Sequence, residues 1–277
     1  MGPPAARLLD RLDEFAALMP LARMALLTDL DGTISPIAPG PNLAAVLPDC
    51  RGALEQLSGL LPVVACLSGR SAAEAAALVR VPSIVYVGNH GLERWTSGRS
   101  ERDHRAEASG PALTQVAKMV RPALEEGEML EIKGLSLTVH YRSHPHPSSA
   151  RIRLLSVVEQ AVRGLALRVR EGRMIIEVLP DVAADKGTAA RRLLLEASPG
   201  GAAYFGDDRT DLDAFFAVHQ WGRETGCPAL CIAVDSTEAP ASLLAEADYL
   251  AAGPDEVCRS LRWIAERVAL RGGGAGA

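Results

Sequence analysis

The chain has 277 residues, of which 48% are hydrophobic and 23% charged, enough for one large domain or for a core with a smaller second domain. A formal net charge of −5 and an aromatic content of 4% argue against a nucleic-acid partner. No apolar run reaches the roughly 18 residues of a membrane span, and the N-terminal segment carries acids where an export signal is apolar. We therefore expect a cytoplasmic protein without a membrane partner.

Short apolar runs alternate with helical patterns in the first part of the chain. The predicted elements are, in order, a strand at 25–29, a helix at 43–60, a strand at 61–69, a helix at 71–79 and a strand at 83–91. Ser71 and Glu74 have the spacing of a capping box at the start of the second helix. This alternation predicts a parallel sheet with helices on both faces.

The pattern changes over 104–181, where the order is helix, strand, strand, helix, strand, strand. Turn signals at Lys133-Gly134 and Glu171-Gly172 predict two hairpins and hence an antiparallel sheet. The mixed charges of the preceding stretch, 99–110, predict a solvated linker.

Alternation then returns, with a helix at 185–198, a strand at 202–208, a helix at 209–220 and a strand at 229–234. The sequence therefore predicts an α/β protein whose doubly wound parallel-sheet core, 1–103 and 182–277, is interrupted by an inserted α+β domain at 104–181. The glycine-rich stretch 271–277 is expected to be a flexible end.

The five cysteines offer no CxxC pair, and their spacing does not suit a zinc site. We expect buried free thiols in a reducing compartment at all of them, namely Cys50, Cys66, Cys227, Cys231 and Cys258.

Polar side chains follow three of the predicted strands. Asp29 and Asp31 end the first, Ser68 ends the second, and the acids of the "GDDRTD" stretch end another; these are Asp207, Asp208 and Asp211. In open parallel sheets, ligands bind at the carboxyl ends of the strands. Converging carboxylates repel one another, so cations must offset them, and oxygen-only ligands suit Mg²⁺. Lys186, at the start of a predicted helix, can supply a second cation.

These residues resemble the four motifs of the haloacid dehalogenase superfamily of phosphotransferases. "DLDGT" at 29–33 matches the first motif, "ACLSGR" around Ser68 the second, "DKGTA" around Lys186 the third and "FGDDRTD" at 205–211 the fourth. Each motif alone is a weak signal, but all four in order are a strong one. The resemblance implies a Rossmann-like core with an inserted cap domain.

The resemblance also implies catalytic roles. Asp29 is then the nucleophile that forms an aspartyl-phosphate, and Asp31 protonates the leaving oxygen and activates water. Ser68 and Lys186 hold the phosphoryl oxygens. An alcohol leaving group needs the proton that a halide does not, so Asp31 favours a phosphatase.

The implied cofactor is Mg²⁺. The resemblance gives it Asp29, Asp207 and the backbone carbonyl of Asp31 as ligands, with Asp208 or Asp211 in support; the sequence does not decide between these two.

A closer resemblance, to the trehalose-6-phosphate phosphatases, covers nearly the whole chain. It is carried by "SGR" at 68–70, "GNHGLE" at 88–93, "EIKGLSLTVHYR" at 131–142, "EVLP" at 177–180 and "GDDRTDLDAF" at 206–215. Leu212 departs from it, because the family usually has Glu there, and this loosens the substrate assignment.

In that family the cap closes over the sugar, and Glu131, Lys133 and Glu177 match cap positions that hold sugar hydroxyls. Arg142 and His140 match a further stretch of the cap motif with less certain roles. From the residues alone, the preferred interpretation of Glu131 and Lys133 is a surface ion pair on one strand face, which contributes only about 0–1 kcal/mol; with the resemblance, sugar binding is preferred.

Asn89 and His90 lie at a predicted strand end near the site. They are candidates for substrate binding, with a turn that bonds backbone groups as the alternative. Arg70 either caps a helix or approaches the substrate, and we favour the structural role.

The leading hypothesis is a Mg²⁺-dependent phosphatase that acts on trehalose 6-phosphate. Its enzymatic rival acts on another sugar or cyclitol phosphate, such as sucrose phosphate, glucosylglycerol phosphate or a pseudo-disaccharide phosphate. A rival of another class is a catalytically silent sugar-phosphate sensor. The expected partner is the small-molecule substrate, and the oligomeric state is not predicted.

Overall fold

The computed structural model describes residues 5–38 and 43–273, with the backbone alone for 271–273. The chain folds into two compact units. Unit 1 comprises Met1–Ser100 and Ala184–Ala277, and unit 2 comprises Glu101–Ala183. The predicted insert, 104–181, lies within unit 2.

Among the described residues, unit 1 is built around a mixed sheet of nine strands, the sixth of which ends two residues inside the unit 2 segment: β1 (Ala6–Arg7), β2 (Met24–Thr28), β3 (Val63–Leu67), β4 (Val85–Gly88), β5 (Glu93–Thr96), β6 (Arg99–Arg102), β11 (Gly201–Gly206), β12 (Ala229–Val234) and β13 (Tyr249–Ala251). Their spatial order is β1-β13-β12-β11-β2-β3-β4-β5-β6. The pairs from β1 to β4 in this order are parallel, and β5 pairs antiparallel with β4.

Helices cover both faces of this sheet: α1 (Leu12–Leu18), α2 (Pro48–Ser58), α3 (Ala72–Val79), α7 (Lys186–Ala197), α8 (Arg209–Thr225), α9 (Ala241–Glu246) and α10 (Pro254–Gly273). Successive strand residues point to opposite faces. Leu26 accordingly packs in a cluster with residues of α1, α2, α3 and α10, whereas Leu27 packs with residues of α7, α8 and α9. Both faces are buried, which explains why the parallel strands read as continuous apolar runs.

Unit 2 contains α4 (His104–Ala108), α5 (Gly110–Val120), β7 (Met129–Ile132), β8 (Leu137–His140), α6 (Pro147–Val162), β9 (Leu167–Gly172) and β10 (Ile175–Pro180). Its four strands form an antiparallel sheet in the order β7-β8-β10-β9. Side chains of β8 and β10 pack with those of α5 and α6, for example Val139 and Ile176 with Leu154. The predicted fold class, a doubly wound α/β core with an α+β insert, is confirmed.

The capping box of α3 is confirmed: Ser71 and Glu74 exchange side-chain and backbone hydrogen bonds. Three local predictions are wrong. The helix predicted at 43–60 starts only at Pro48, because Pro favours the first turn of a helix. The second hairpin turns at Arg173-Met174, while Gly172 is paired with Ile175. The predicted linker at 99–110 contains β6 and α4.

The expectation of five free thiols is also wrong. Cys50 of α2 and Cys258 of α10 form a disulfide across 208 residues of sequence, whereas Cys66, Cys227 and Cys231 are free. The sequence cannot show this pair, because only the packing of α10 on α2 brings the two residues together. Residues 271–273 continue α10, and the rest of the predicted flexible end, 274–277, lies outside the described residues. Within the described ranges, no helix has the length and apolarity that a membrane crossing requires.

Candidate active site

The candidate site lies where the strand order of unit 1 reverses. β2 stands between β11 and β3, so the chain leaves these neighbouring strands toward helices on opposite faces. Asp29 follows β2, Ser68 follows β3 and Asp207 follows β11, all at the same edge of the sheet. Backbone bonds extend the pairing up to these residues: the N–H of Asp29 donates to Phe205 O at 2.8 Å and that of Ser68 to Val87 O at 2.9 Å. Such a reversal point is the usual ligand site of an open parallel sheet.

Lys186 enters the site from the first turn of α7. The helix starts there because Asp185 caps it, accepting a hydrogen bond from the N–H of Thr188 at 2.7 Å. The Lys186 ammonium donates to Asp29 Oδ1 at 2.5 Å and to Asp211 Oδ1 at 2.8 Å. All three side chains are buried. The structure thus brings together three residues that are far apart in the sequence, as the motifs predicted.

Asp211 is held by four donors. Its Oδ1 accepts from Lys186 and, at 2.8 Å, from the hydroxyl of Tyr204, while its Oδ2 accepts from the N–H groups of Asp207 and Asp208 at 3.1 and 3.0 Å. Asp211 therefore orients both Lys186 and the turn that carries Asp207. Tyr204 is not among the predicted site residues, because its pattern in β11 is that of a core aromatic. The only signal is its polar tip, since a buried Tyr hydroxyl usually has a partner.

The carboxylates of Asp29, Asp207 and Asp211 each place one oxygen within 4.8 Å of the others, and all three residues are buried. The carboxylate of Asp208 is not in this group, although its backbone joins the turn. Gly32 allows the Asp207 carboxylate to come close to the backbone at position 32. It has a φ of +89°, and a Cβ there would lie 2.0 Å from Asp207 Oδ2. Only glycine fits at this position.

The electrostatics of the group favour a second cation. Burial raises the pKa of Asp29 well above its ordinary value; Lys186 opposes this rise, while Asp211 and Asp207 add to it. Burial also disfavours the charged Lys186, but the Asp211 and Asp29 carboxylates outweigh it, so the pKa of Lys186 lies above its ordinary value. The Lys186 ammonium thus bonds two of the three carboxylates, and a bound cation would relieve the remaining repulsion.

Asp31 and Arg70 form a two-pronged ion pair. Arg70 Nε donates to Asp31 Oδ2 at 2.6 Å and its Nη2 donates to Oδ1 at 2.9 Å. The Arg70 side chain is 13% exposed and that of Asp31 35%, so the carboxylate keeps contact with solvent. The favoured reading of Arg70 as a helix cap is therefore wrong: it holds the predicted general acid. The sequence contains one signal for this contact, because Arg70 is a basic residue two positions after Ser68, which follows the end of a strand.

Ser68, Asn89 and His90 are joined by backbone bonds. The N–H of His90 donates to Ser68 O at 3.1 Å, and that of Asn89 donates to Arg70 O at 2.7 Å. Asn89 and His90 both have positive φ, in keeping with a tight turn. The Asn89 side chain donates to Glu93 Oε1 at 2.7 Å. The prediction of a turn that bonds backbone groups is therefore correct for the backbone of Asn89 and His90. The same bonds place both residues beside the segment that follows β3 and begins at Ser68.

The predicted sugar-binding residues lie on the sheet of unit 2. Glu131 of β7 and Glu177 of β10 pair from either side with the same residue of β8, Thr138, so the three share one face. Lys133 Nζ lies 3.8 Å from Glu131 and 3.9 Å from Glu177, and its side chain is only 7% exposed. The alternative of a surface ion pair is therefore wrong.

Two further cap candidates bond within unit 2. His140 Nε2 lies 2.7 Å from Glu131 Oε2, and Arg142 donates to the backbone oxygen of Arg173 at 3.3 Å. Leu212, the departure from the family pattern, is half-buried on α8 and packs against the apolar cluster that contains Phe215.

Comparison with known proteins gives one consistent result. The family described as trehalose-phosphatase matches residues 27–247. The trehalose-phosphate phosphatase of Mycobacterium ulcerans (strain Agy99) is 36% identical over 224 residues, covering 78% of this chain and 56% of that protein. That of Mycobacterium leprae (strain TN) is 36% identical over 249 residues, covering 85% and 55%. The chain thus spans a little over half the length of these relatives.

Solved structures agree on the fold. The chain is similar to the C-terminal domain of a Candida albicans trehalose-6-phosphate phosphatase, with a TM-score of 0.78 and 22% identity over 96% of this chain and 98% of that one. It is also similar to a trehalose-6-phosphate phosphatase related protein, with a TM-score of 0.75 and 22% identity over 89% and 99%.

Proposed function

The chain belongs to the trehalose-phosphatase family, and from that premise we propose that it hydrolyses trehalose 6-phosphate to trehalose and phosphate. The observation that carries the proposal is the buried contact of Asp29 with Lys186 at the reversal point of the sheet, beside Asp207 and Asp211. A carboxylate with this surrounding can act as a nucleophile on a phosphate ester.

Asp29 attacks phosphorus, and the bond between phosphorus and the sugar oxygen breaks, leaving an aspartyl-phosphate. Asp31 donates a proton to the departing sugar oxygen. It then takes a proton from the water that attacks the aspartyl-phosphate, which releases phosphate and restores Asp29. Arg70 orients Asp31 through both oxygens, and Lys186, with Ser68, binds the phosphoryl oxygens.

The donor set fits Mg²⁺. It consists of carboxylate oxygens, the ligands that this ion prefers, and the three buried acids exceed the single ammonium in charge. Asp29 and Asp207 would hold the ion, with the backbone carbonyl of Asp31; Asp211, whose oxygens already accept four hydrogen bonds, would support them. When bound, the ion neutralises charge on the phosphoryl group.

We assign recognition of the sugar to unit 2. Glu131 and Glu177 accept hydrogen bonds and Lys133 donates them, and a sugar hydroxyl can do both. The near-complete burial of Lys133 between the two acids supports a built site over a solvated charge cluster. Asn89, His90 and Arg142 remain proposed substrate contacts.

The test is phosphate release by the purified chain, with trehalose 6-phosphate compared against sucrose phosphate, glucosylglycerol phosphate, a pseudo-disaccharide phosphate and glucose 6-phosphate. We expect the highest kcat/KM with trehalose 6-phosphate, loss of activity in EDTA and recovery with Mg²⁺. A higher kcat/KM with another compound would replace the substrate, and full activity in excess chelator would remove the metal. No release from any of them would favour the sugar-phosphate sensor.

A further inference from the structure

Thr138 carries a buried hydroxyl in the middle of the unit 2 sheet. The residue is fully buried, and among the residues that the structure describes its Oγ1 has no hydrogen-bond partner. A buried hydroxyl without a partner lowers the stability of the folded protein, because it has given up its hydrogen bonds to water. A valine of the same shape would avoid this cost and is at least as favourable in a strand. Stabilisation of the fold therefore does not explain this hydroxyl, which indicates another role.

The surroundings of this hydroxyl are charged. Thr138 pairs directly with Glu131 on one neighbouring strand and with Glu177 on the other. Side chains that oppose each other in this way share a face, with Cβ atoms about 4.5–5.5 Å apart. Lys133 Nζ lies within 4 Å of both carboxylates, so the two acids that flank Thr138 share one ammonium.

The chemistry of this set is complementary to a polyol. The two carboxylates only accept hydrogen bonds and the ammonium only donates them, whereas the Thr138 hydroxyl does both. The two ion pairs of Lys133, at 3.8 and 3.9 Å, are longer than hydrogen bonds. A sugar hydroxyl can therefore enter this row without displacing a short bond between Lys133 and either acid.

We propose that Thr138 Oγ1 hydrogen-bonds a hydroxyl of the sugar part of the substrate and so helps to determine specificity, an inference that rests on the proposed function. The folding cost of the orphan hydroxyl is then recovered when the sugar binds. Loss of that bond affects the bound ground state and the transition state alike, so it raises KM and leaves kcat nearly unchanged.

The experiment compares Thr138→Val, which removes only the hydroxyl, with Thr138→Ser, which keeps it. Both variants and the wild-type chain are assayed on trehalose 6-phosphate and on p-nitrophenyl phosphate, and their urea unfolding midpoints are measured. For Thr138→Val we expect the ratio of the two kcat/KM values to shift against the sugar phosphate by roughly 3- to 10-fold, the effect of one neutral hydrogen bond. Its unfolding midpoint should equal or exceed that of the wild type. Thr138→Ser should retain the wild-type ratio.

Two results overturn the inference. An unchanged ratio in Thr138→Val means that the hydroxyl does not contact the sugar. A lower unfolding midpoint in Thr138→Val, with Thr138→Ser unaffected, means that the hydroxyl has an internal partner in solution. Either outcome leaves the proposed function intact, because that is judged on the wild-type chain alone.

Failure of the proposed function has a different signature. If the wild type prefers another sugar phosphate, the same ratio is measured with that compound, and the inference stands or falls on it. If the wild type hydrolyses p-nitrophenyl phosphate but no sugar phosphate, and calorimetry detects no trehalose binding, both are overturned.

Discussion

Replacement of Lys186 by methionine tests the central ion network of unit 1. The ammonium donates to Asp29 and Asp211 at 2.5 and 2.8 Å, and all three side chains are buried. Methionine keeps an unbranched chain of similar length and removes the charge. Two buried carboxylates then lose their only shared cationic partner among the described residues.

The structure sets the size of the effect. Removal of one partner from a buried ion pair destabilises a protein by about 3–5 kcal/mol, because it leaves an uncompensated buried charge. In EDTA, we expect Lys186→Met to lower the free energy of unfolding by an amount in this range. That is a large part of the roughly 5–15 kcal/mol that stabilises a typical protein. Mg²⁺ should stabilise the variant more than the wild type, since the cation replaces the missing ammonium and binds only the folded state.

Urea unfolding followed by tryptophan fluorescence is a suitable assay. The three tryptophans, Trp95, Trp221 and Trp263, all belong to unit 1, so their signal reports the unit that contains Lys186. Arg223→Met is the matched control, because Arg223 is an exposed cation on α8 of the same unit; its effect should stay within about 0.5 kcal/mol.

The double variant Lys186→Met/Asp211→Asn identifies the cause. Neutralising Asp211 removes one of the two orphaned charges, so the double variant should be less destabilised than the sum of the single variants. A loss below about 1 kcal/mol in Lys186→Met, or strict additivity in the double variant, would contradict the charge-pairing argument.

Three further predictions follow from the site, and a fourth concerns Tyr86, a buried residue of β4. Asp29→Asn should release no phosphate, and BeF₃⁻ should label the wild type alone; substantial turnover by this variant would rule out the nucleophile. Arg70→Ala should lower kcat about 10-fold and Arg70→Lys nearly as much, because lysine cannot hold both oxygens of Asp31; this is less than the roughly 10²–10⁴-fold that acid–base catalysis itself contributes, and wild-type kcat in both would refute it. Lys133→Ala should reduce kcat/KM for trehalose 6-phosphate by about 10²-fold, or about 2.7 kcal/mol, but not for p-nitrophenyl phosphate; equal losses on both substrates in a folded protein would exclude a sugar contact. Burial raises the pKa of Tyr86 from 10 to about 12, against the opposing effect of its bond to Val81, so the unfolded chain loses this proton first as the pH rises. The contribution of this group to the free energy of unfolding is then full below pH 10 and is lost towards pH 12, by up to roughly 3 kcal/mol, and Tyr86→Phe should flatten the decline of urea midpoints in that window.

The core of unit 1 was predictable because its elements are decided locally. Apolar runs that are buried on both faces mark β2 and β3, and the capping box of Ser71 fixes the start of α3. The edges of the sheet were not predictable in the same way. β6 has four exposed, charged or polar residues, so nothing in its composition separates it from a solvated loop. Its position in the sheet depends on pairing, which sequence periodicity does not show.

The site was predictable as a set of residues but not as a bonding network. The order of the motifs predicted that Asp29, Lys186 and Asp211 lie together at one edge of the sheet. The hydrogen-bond partners of Asp31 and Asp211, by contrast, depend on the directions of their side chains. Arg70 reaches Asp31 across 39 residues, and the Tyr204 hydroxyl reaches Asp211 from inside the apolar layer. A tyrosine in a buried strand is usually core, and only its partner shows that this one also orients a charge.

The ion network of Lys186 and the row of Glu131, Thr138 and Glu177 belong to different units, and this has a consequence for the range of substrates. The bonds of Lys186 go to Asp29 and Asp211 inside unit 1, and the row of Glu131, Thr138 and Glu177 lies inside unit 2. Under the proposed function, substitutions in the row should change the selection of the sugar, while the bonds of Lys186 to Asp29 and Asp211 remain. Under the proposed function, such a row disfavours a sugar that lacks the matching hydroxyl, since polar groups of the site then lose a hydrogen bond to the substrate. Changes of substrate among relatives of this fold should accordingly appear in the unit 2 row, while the strand ends of unit 1 stay the same.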